Sequence, residues 1–348
     1  MSNNVAQLSG GGLYMSQFNE LVSIESSFFS NNTAEYDGGG MYLGTSNRGI
    51  YIGNCELYDH SASYGGTIYI NTLNMGVSVT YSDISRSVSK ADGVSIYSFS
   101  ENQISVTYSD LSLGVAGADG GGILLATNHV DATLIHCRFI GNVALSGGAI
   151  GITGMGDSNL KISNCVFTRN TAYSDGGGIY ALQVSHANMS ENAFILNNAS
   201  ATGGGAYISK GVDIVFSGCN LEGDIAGQGG GLVVSYVADL RIISNMFLCN
   251  EATAGYSSAV TASSSSGMVI HSNVLNGNTA AQAGAVYWET GDMTEPAYLS
   301  GVGDRAAIIS TTRPIKTSSL YSNHMQSTHL WASPTAPTTI SSSISPSD

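Results

Sequence analysis

The chain has 348 residues, 43% hydrophobic and only 10% charged, with 44 Gly and a net charge of −14. The acidic balance and the lack of a basic stripe argue against a nucleic-acid partner. No run of 18 apolar residues exists to cross a membrane as a helix, and the polar start MSNNVAQLSGGG has no hydrophobic segment of the secretory type.

From Gly10 onward a Gly-rich triplet followed by an apolar residue recurs every 26 to 29 residues, from GGGLYM through GGGMYL and GGTIYI to AGAVYW. A fixed period of this size signals a solenoid. After each triplet the chain alternates, with Leu13 and Met15 on one side and Tyr14 on the other. Further along come apolar pairs two residues apart, from Val22/Ile24 and Ile50/Ile52 to Met268/Ile270, with mostly polar residues between them. Period-two alternation predicts a strand with one face inward. Next stands a column of Phe or Leu: Phe29, Leu57, Phe139, Phe167, Phe194 and Phe247 among its members. Three residues later Asn dominates, at Asn32, Asn142, Asn170, Asn197, Asn250 and Asn278. Asn tolerates the left-handed conformation of a tight turn, and stacked Asn amides can bond from coil to coil.

Each repeat thus supplies at least two short strands, and about 27 residues fit one turn of a parallel β-helix with rungs about 4.8 Å apart. The expected fold is all-β, a single-stranded right-handed parallel β-helix of about eleven coils, on the order of 50 Å long. A helical solenoid is excluded, because no repeat has ten residues of 3.6 periodicity and Gly, Ser, Thr, Asn and β-branched residues dominate. A leucine-rich repeat is excluded because LxxLxL is absent.

The repeat domain spans residues 1–290. Repeats fade after Trp288, so residues 291–332 are expected to be irregular or a decayed repeat, with Leu320-Tyr321-Ser322-Asn323 as its remnant. Residues 333–348 are rich in Ser, Thr and Pro and are expected to be a disordered linker or stalk. Asn4-Val5-Ala6 aligns with Asn32-Thr33-Ala34, so the chain starts inside a repeat without a polar cap. A piece of a longer protein is the expectation. Four of the five cysteines, Cys55, Cys137, Cys165 and Cys219, share one column two residues before the Phe/Leu, a small inward position. Cys137 and Cys165 stand in neighbouring coils, close enough in principle for a disulfide.

Two paired signatures, GGA-I at Gly147-Gly148-Ala149-Ile150 and FxxN at Phe29/Asn32, Phe139/Asn142, Phe167/Asn170, Phe194/Asn197 and Phe247/Asn250, resemble the repeats of chlamydial polymorphic outer membrane proteins. The resemblance covers roughly residues 1–290. It implies the right-handed β-helix of an autotransporter passenger, a cell-surface or extracellular location, and adhesion to a host-cell or cell-surface protein or glycan. Neither the family's signal peptide nor its C-terminal membrane barrel is legible in these 348 residues, so outer-membrane anchorage is not part of the expectation.

Two sets of side chains are candidate sites. The first is the residue after each inward apolar position: Tyr14, Tyr42, Tyr69, Tyr97, Tyr180, Tyr207 and Tyr287. Alternation turns these outward, as a ladder offering flat faces to a sugar or a partner protein, or as rings that support the sheet by neighbour packing. The second is acidic: Glu56, Asp83 and Asp110 in one column with Arg138 next, and Asp92 and Asp119 in another. Stacked carboxylates repel unless a cation such as Ca²⁺ or a basic group sits between them. The sequence supports no catalytic assignment: the histidines do not cluster, and no cofactor motif is present. The leading expectation is a non-enzymatic surface-binding module. The alternatives are a carbohydrate-active β-helix enzyme, such as a polysaccharide lyase or hydrolase working at the acidic columns, and a structural spacer.

Overall fold

A computed structural model describes residues 1–281 except 157–158 and 256, then 285–289, 298–299, 307–310 and 316–317. Among the described residues there is no helix, and every strand pairing is parallel, in sheets of 21, 11 and 10 strands. Equivalent positions of successive coils meet in register, as Leu13 with Met41 and Phe139 with Phe167. Each coil has four strand segments, two more than alternation alone establishes. They are a Tyr-bearing strand (Met41–Leu43), a second strand (Tyr51–Gly53), a Phe/Leu strand (Glu56–Tyr58) and a two-residue bridge (Ser61–Ala62). In three later coils the first two fuse into one strand, as in Ile179–Ser190, Ala206–Ser217 and Leu232–Ile243. Parallel pairing continues in 298–299, 307–310 and 316–317, within the segment expected to be a decayed repeat. Leu320-Tyr321-Ser322-Asn323 and the tail from 333 lie outside the described residues.

The interior is one continuous column of apolar rungs. Phe139, Phe167 and Phe194 are fully buried, with ring centroids 5.0 and 4.7 Å apart and planes nearly parallel. The Gly triplet lets coils approach this closely. Gly176 has φ +66°, and a Cβ on Gly177 would stand 2.7 Å from the Asn198 carbonyl oxygen of the next coil.

The Asn column forms the expected ladder. Asn142 Nδ2 donates to Asn170 Oδ1 (3.1 Å), Asn170 Nδ2 to Asn197 Oδ1 (3.0 Å), and Asn197 Nδ2 to Asp224 Oδ1 (2.9 Å). Each Nδ2 also donates to a buried carbonyl, Asn170 to Phe139 O and Asn197 to Phe167 O, both 3.0 Å. One expectation needs correction. The left-handed residue of this turn is the one before the Asn, at Asn31 (φ 48°), Asp59 (58°), Arg169 (54°) and Leu196 (57°). The Asn is buried because its amide must satisfy backbone groups that a turn inside the stack removes from water.

A second Asn ladder, between the Tyr-bearing and second strands, escaped the sequence reading. Asn19 Nδ2 donates to Asn47 Oδ1 (2.8 Å), Asn47 Nδ2 to Asn74 Oδ1 (2.9 Å), and Asn102 Oδ1 accepts the Asn74 N–H (2.8 Å). Histidine replaces Asn once in each ladder, at His60 and His129, and both are buried. Burial lowers each imidazole from 6.5 to about 4. Between those values the unfolded chain binds a proton at each ring and the folded chain does not, so stability falls as pH drops through that window. The double change His60→Asn/His129→Asn is expected to remove this acid-side loss, on the order of 2 kcal/mol per ring. Urea midpoints near neutrality and at about pH 4.5 read the effect. An equal drop in wild type and variant would count against neutral buried histidines.

Candidate functional site

The Tyr positions form one register column, Tyr14↔Tyr42↔Tyr69↔Tyr97, then Leu124 and Gly151, then Tyr180↔Tyr207, with Tyr287 opposite Thr261. The column lies on the outer face, as alternation requires, but it is not a uniformly open ladder. Tyr14 is 58% exposed, whereas Tyr69 and Tyr97 are only 9% and 7% exposed, packed with Leu124 and Ala126 in a small apolar cluster outside the sheet. Burial pushes both of these phenols well above the usual range. The rings also lie face to face. Tyr14 and Tyr42 are 4.9 Å apart at 11°, Tyr42 and Tyr69 5.6 Å at 7°, and Tyr180 and Tyr207 5.7 Å at 9°. Faces spent on one another are covered, so at Tyr42 and Tyr69, stacked on both sides, a ligand meets ring rims and hydroxyls instead of the flat faces expected from sequence. The physical reason is the rung spacing, which matches aromatic stacking along the rod. Tyr42 Oη accepts from Asn71 Nδ2 (2.8 Å), and Tyr207 Oη lies 3.3 Å from Ser235 Oγ.

The acidic columns are in register as read. Glu56 faces Asp83, Asp83 faces Asp110, and Asp110 faces Arg138. Arg138 Nε donates to Asp110 Oδ1 (2.6 Å), which neutralises that end of the column. Asp83 has no such partner; partial burial and the neighbouring Asp110 and Glu56 charges raise its pKa. In the other column Asp92 Oδ1 accepts the backbone N–H of Asp119 (3.0 Å), and Asp175 Oδ1 accepts that of Thr202 (3.1 Å). These carboxylates cap the backbone of the next coil. Burial, then the Asp92 charge, raises the pKa of Asp119. Among the described residues no three His, Cys, Asp or Glu side chains converge as a metal-ion set.

The column cysteines are buried and carry free thiols, Cys137 and Cys165 included. Cys137 Sγ donates to Val106 O (3.3 Å) and Cys165 Sγ to Leu134 O (3.5 Å), the preceding-coil carbonyls that Asn192 and Asn245 serve in other coils. Burial pushes the Cys219 thiol up to about 12, so Cys219 packs and does not react as a thiolate near neutrality.

Two features were not singled out from sequence. A groove of about 490 Å³ crosses the second strands, over Ser78, Ser105, Thr133, Lys161 and Asn188. Three residues beyond Ser78, Ser105 and Thr133, at the corner of the rod, Tyr81, Tyr108 and His136 stack 5.0 and 4.8 Å apart. These corner residues have positive φ, where Asn54, Asn164 and Gly218 stand in other coils. The available signal was their 27- and 28-residue spacing, one position before the Ser/Cys column.

The family described as Right handed beta helix region matches residues 66–247 and, overlapping these, 121–295. The matches span more than half of the chain, and the chain belongs to this family. No curated protein and no solved structure matches it significantly.

Proposed function

We propose that the chain is a non-enzymatic binding module of a cell-surface or extracellular protein, and that it engages a cell-surface protein or glycan through the open part of the Tyr column. The observation that carries this reading is the contrast within that column. Tyr69 and Tyr97 are buried in one apolar cluster with Leu124 and Ala126, while Tyr42, Tyr180 and Tyr207, inside the stack, are only partly buried. An aromatic rim with a polar tip suits a wet interface. Repetition along a rigid rod suits many weak contacts made together. The repeat signatures resembling those of polymorphic outer membrane proteins support adhesion as the purpose of such contacts.

The double change Tyr14→Ser/Tyr42→Ser is expected to weaken binding to host-cell surfaces or arrayed glycans by roughly tenfold or more. Tyr69→Ser instead lowers the melting temperature, because its ring is buried. Retention of surface binding in the Tyr14/Tyr42 variant would remove this face from the account. Ca²⁺-dependent cleavage of a polysaccharide by the wild type would replace the module with an enzyme acting at Glu56, Asp83, Asp110, Asp92 and Asp119.

A further inference from the structure

We infer that Cys137 and Cys165 are the two halves of a covalent clasp, which closes as a single disulfide between consecutive coils when the protein meets a small-molecule disulfide as oxidant. The inference is independent of the Tyr column. Each cysteine stands two residues before a Phe of the in-register pair Phe139↔Phe167. The Val166 N–H donates to the Cys137 carbonyl (2.9 Å), so the register runs on through both cysteines. In-register neighbours on adjacent strands lie about 4.8 Å apart. That is inside the Cα separation of about 4.4–6.8 Å that a disulfide spans without backbone movement. Both side chains point into the rod, 0% and 1% exposed. The Cys165 thiol is a hydrogen-bond partner of Cys137 and lowers the Cys137 thiol from its ordinary value.

The column offers no other pairing. Cys55 is flanked by Ser27 and Ser82, and Cys219 by Asn192 and Asn245. A cysteine two coils away is at about 9.6 Å, beyond the reach of a disulfide. Cys249 is exposed and stands at a different corner. The step balances with the oxidant named. Cys137 releases its proton, and its thiolate attacks one sulfur of the oxidant. A mixed disulfide forms and one oxidant thiolate leaves, taking up that proton. Cys165 then releases its proton, and its thiolate attacks the Cys137 sulfur. The Cys137–Cys165 bond forms and the second oxidant thiolate leaves as a thiol. Two protein thiols are oxidised and one disulfide is reduced to two thiols. The S–H donors to Val106 O and Leu134 O are lost, at small cost because a thiol is a weak donor. Burial decides when this happens. A thiol inside the stack meets the oxidant only while coils assemble or separate, and the closed bond is shielded from reductant in the same way. An extracellular medium supplies such an oxidant. The bond crosses the Phe139/Phe167 interface, and there it limits how far the two coils can part.

The test incubates the full chain with oxidised glutathione in urea just below the unfolding midpoint, where coils open transiently, and in parallel with dithiothreitol. After urea is removed, free thiols are alkylated under denaturing conditions and the peptides are mapped by mass spectrometry. Glutathione is expected to link Cys137 to Cys165 and to leave Cys55 and Cys219 alkylated. The linked protein is expected to melt about 5 °C higher than the dithiothreitol sample. Its hydrogen exchange is expected to slow most in Arg138–Ile140 and Val166–Thr168. Cys137→Ser and Cys165→Ser place a residue that the column already uses at Ser82 and Ser109, so each is expected to fold and to lose the melting shift. Cys249→Ser is expected to keep the shift, which separates it from glutathione carried on the exposed thiol. The inference is overturned if Cys137 and Cys165 are both recovered as alkylated thiols, if either links to Cys55, Cys219 or Cys249 instead, or if the linked protein melts where the Cys137→Ser variant does.

Discussion

Phe167→Ala is expected to lower the stability of the rod by about 3–5 kcal/mol, the cost of truncating a fully buried Phe and leaving a cavity. Phe167 is sandwiched between Phe139 and Phe194 at 5.0 and 4.7 Å, and its outward neighbours in the same strand are only partly buried. The site cannot collapse easily, because the coils above and below are held at fixed spacing by backbone ladders on several sides, including Arg138–Ile140 and Ala193–Ile195. A solenoid behaves as a row of coupled units, so the loss concentrates at one interface. Hydrogen exchange is therefore expected to show protection falling most in the coils next to Phe167 and least at distant ones. Thr168→Ala, on the outer face of the same strand, is expected to change stability by less than about 0.5 kcal/mol. A uniform loss of protection along the whole rod, or equal effects of the two changes, would contradict a nearest-neighbour stack.

The same property explains what could be read from sequence. In an in-register parallel stack, position n of every coil has the same surroundings, so the Phe, Asn and Gly columns repeat because their environments repeat. Reading fails where identity and environment separate. The left-handed corner before each position of the Asn column is occupied by residues such as Asn31, Asp59, Arg86, Leu113 and Cys249, a set with no shared chemistry. Its conformation comes from the stack, not from the residue's own preference. The ladder through Asn19, Asn47, Asn74 and Asn102 fades into His129 and then into the apolar Val184, as the flanking strands fuse into Ile179–Ser190. Alternation assigned Tyr69 and Tyr97 to the outer face correctly. It carried no information on Leu124 and Ala126, from the coil after Tyr97, which join both rings in one apolar cluster. The groove was hidden for the opposite reason, since Ser78, Ser105 and Thr133 resemble ordinary solvated strand positions one at a time and form a surface only as a row.

Asp224→Asn is expected to stabilise the protein near neutral pH and to flatten its dependence on pH. Asp224 occupies the Asn column and is fully buried. Its Oδ1 accepts Asn197 N–H (2.8 Å) and Asn197 Nδ2 (2.9 Å), as an Asn Oδ1 would. Its Oδ2 has no donor partner. In neighbouring rungs the equivalent atom is an amide nitrogen donating to a carbonyl, Asn197 to Phe167 O and Asn250 to Leu221 O. By register Oδ2 faces the Phe194 carbonyl, an arrangement that suits a protonated carboxyl and repels a carboxylate. Burial accordingly raises the group from 3.8 to about 8. In the unfolded chain the proton leaves near 3.8, but in the folded chain it stays until about 8. The stabilisation is therefore complete below about pH 4, erodes as pH rises toward 8, and then stops changing. Its full size is on the order of 5 kcal/mol, taken as an upper bound for so deeply buried a group. Asn supplies the missing donor without a proton to lose, so the variant gains over wild type progressively across that window and matches it closely at about pH 4. Urea midpoints of both proteins at about pH 4, 6 and 8.5 decide the matter. Parallel curves would mean that Asp224 is already ionised in the folded rod and that something other than a proton stabilises its second oxygen.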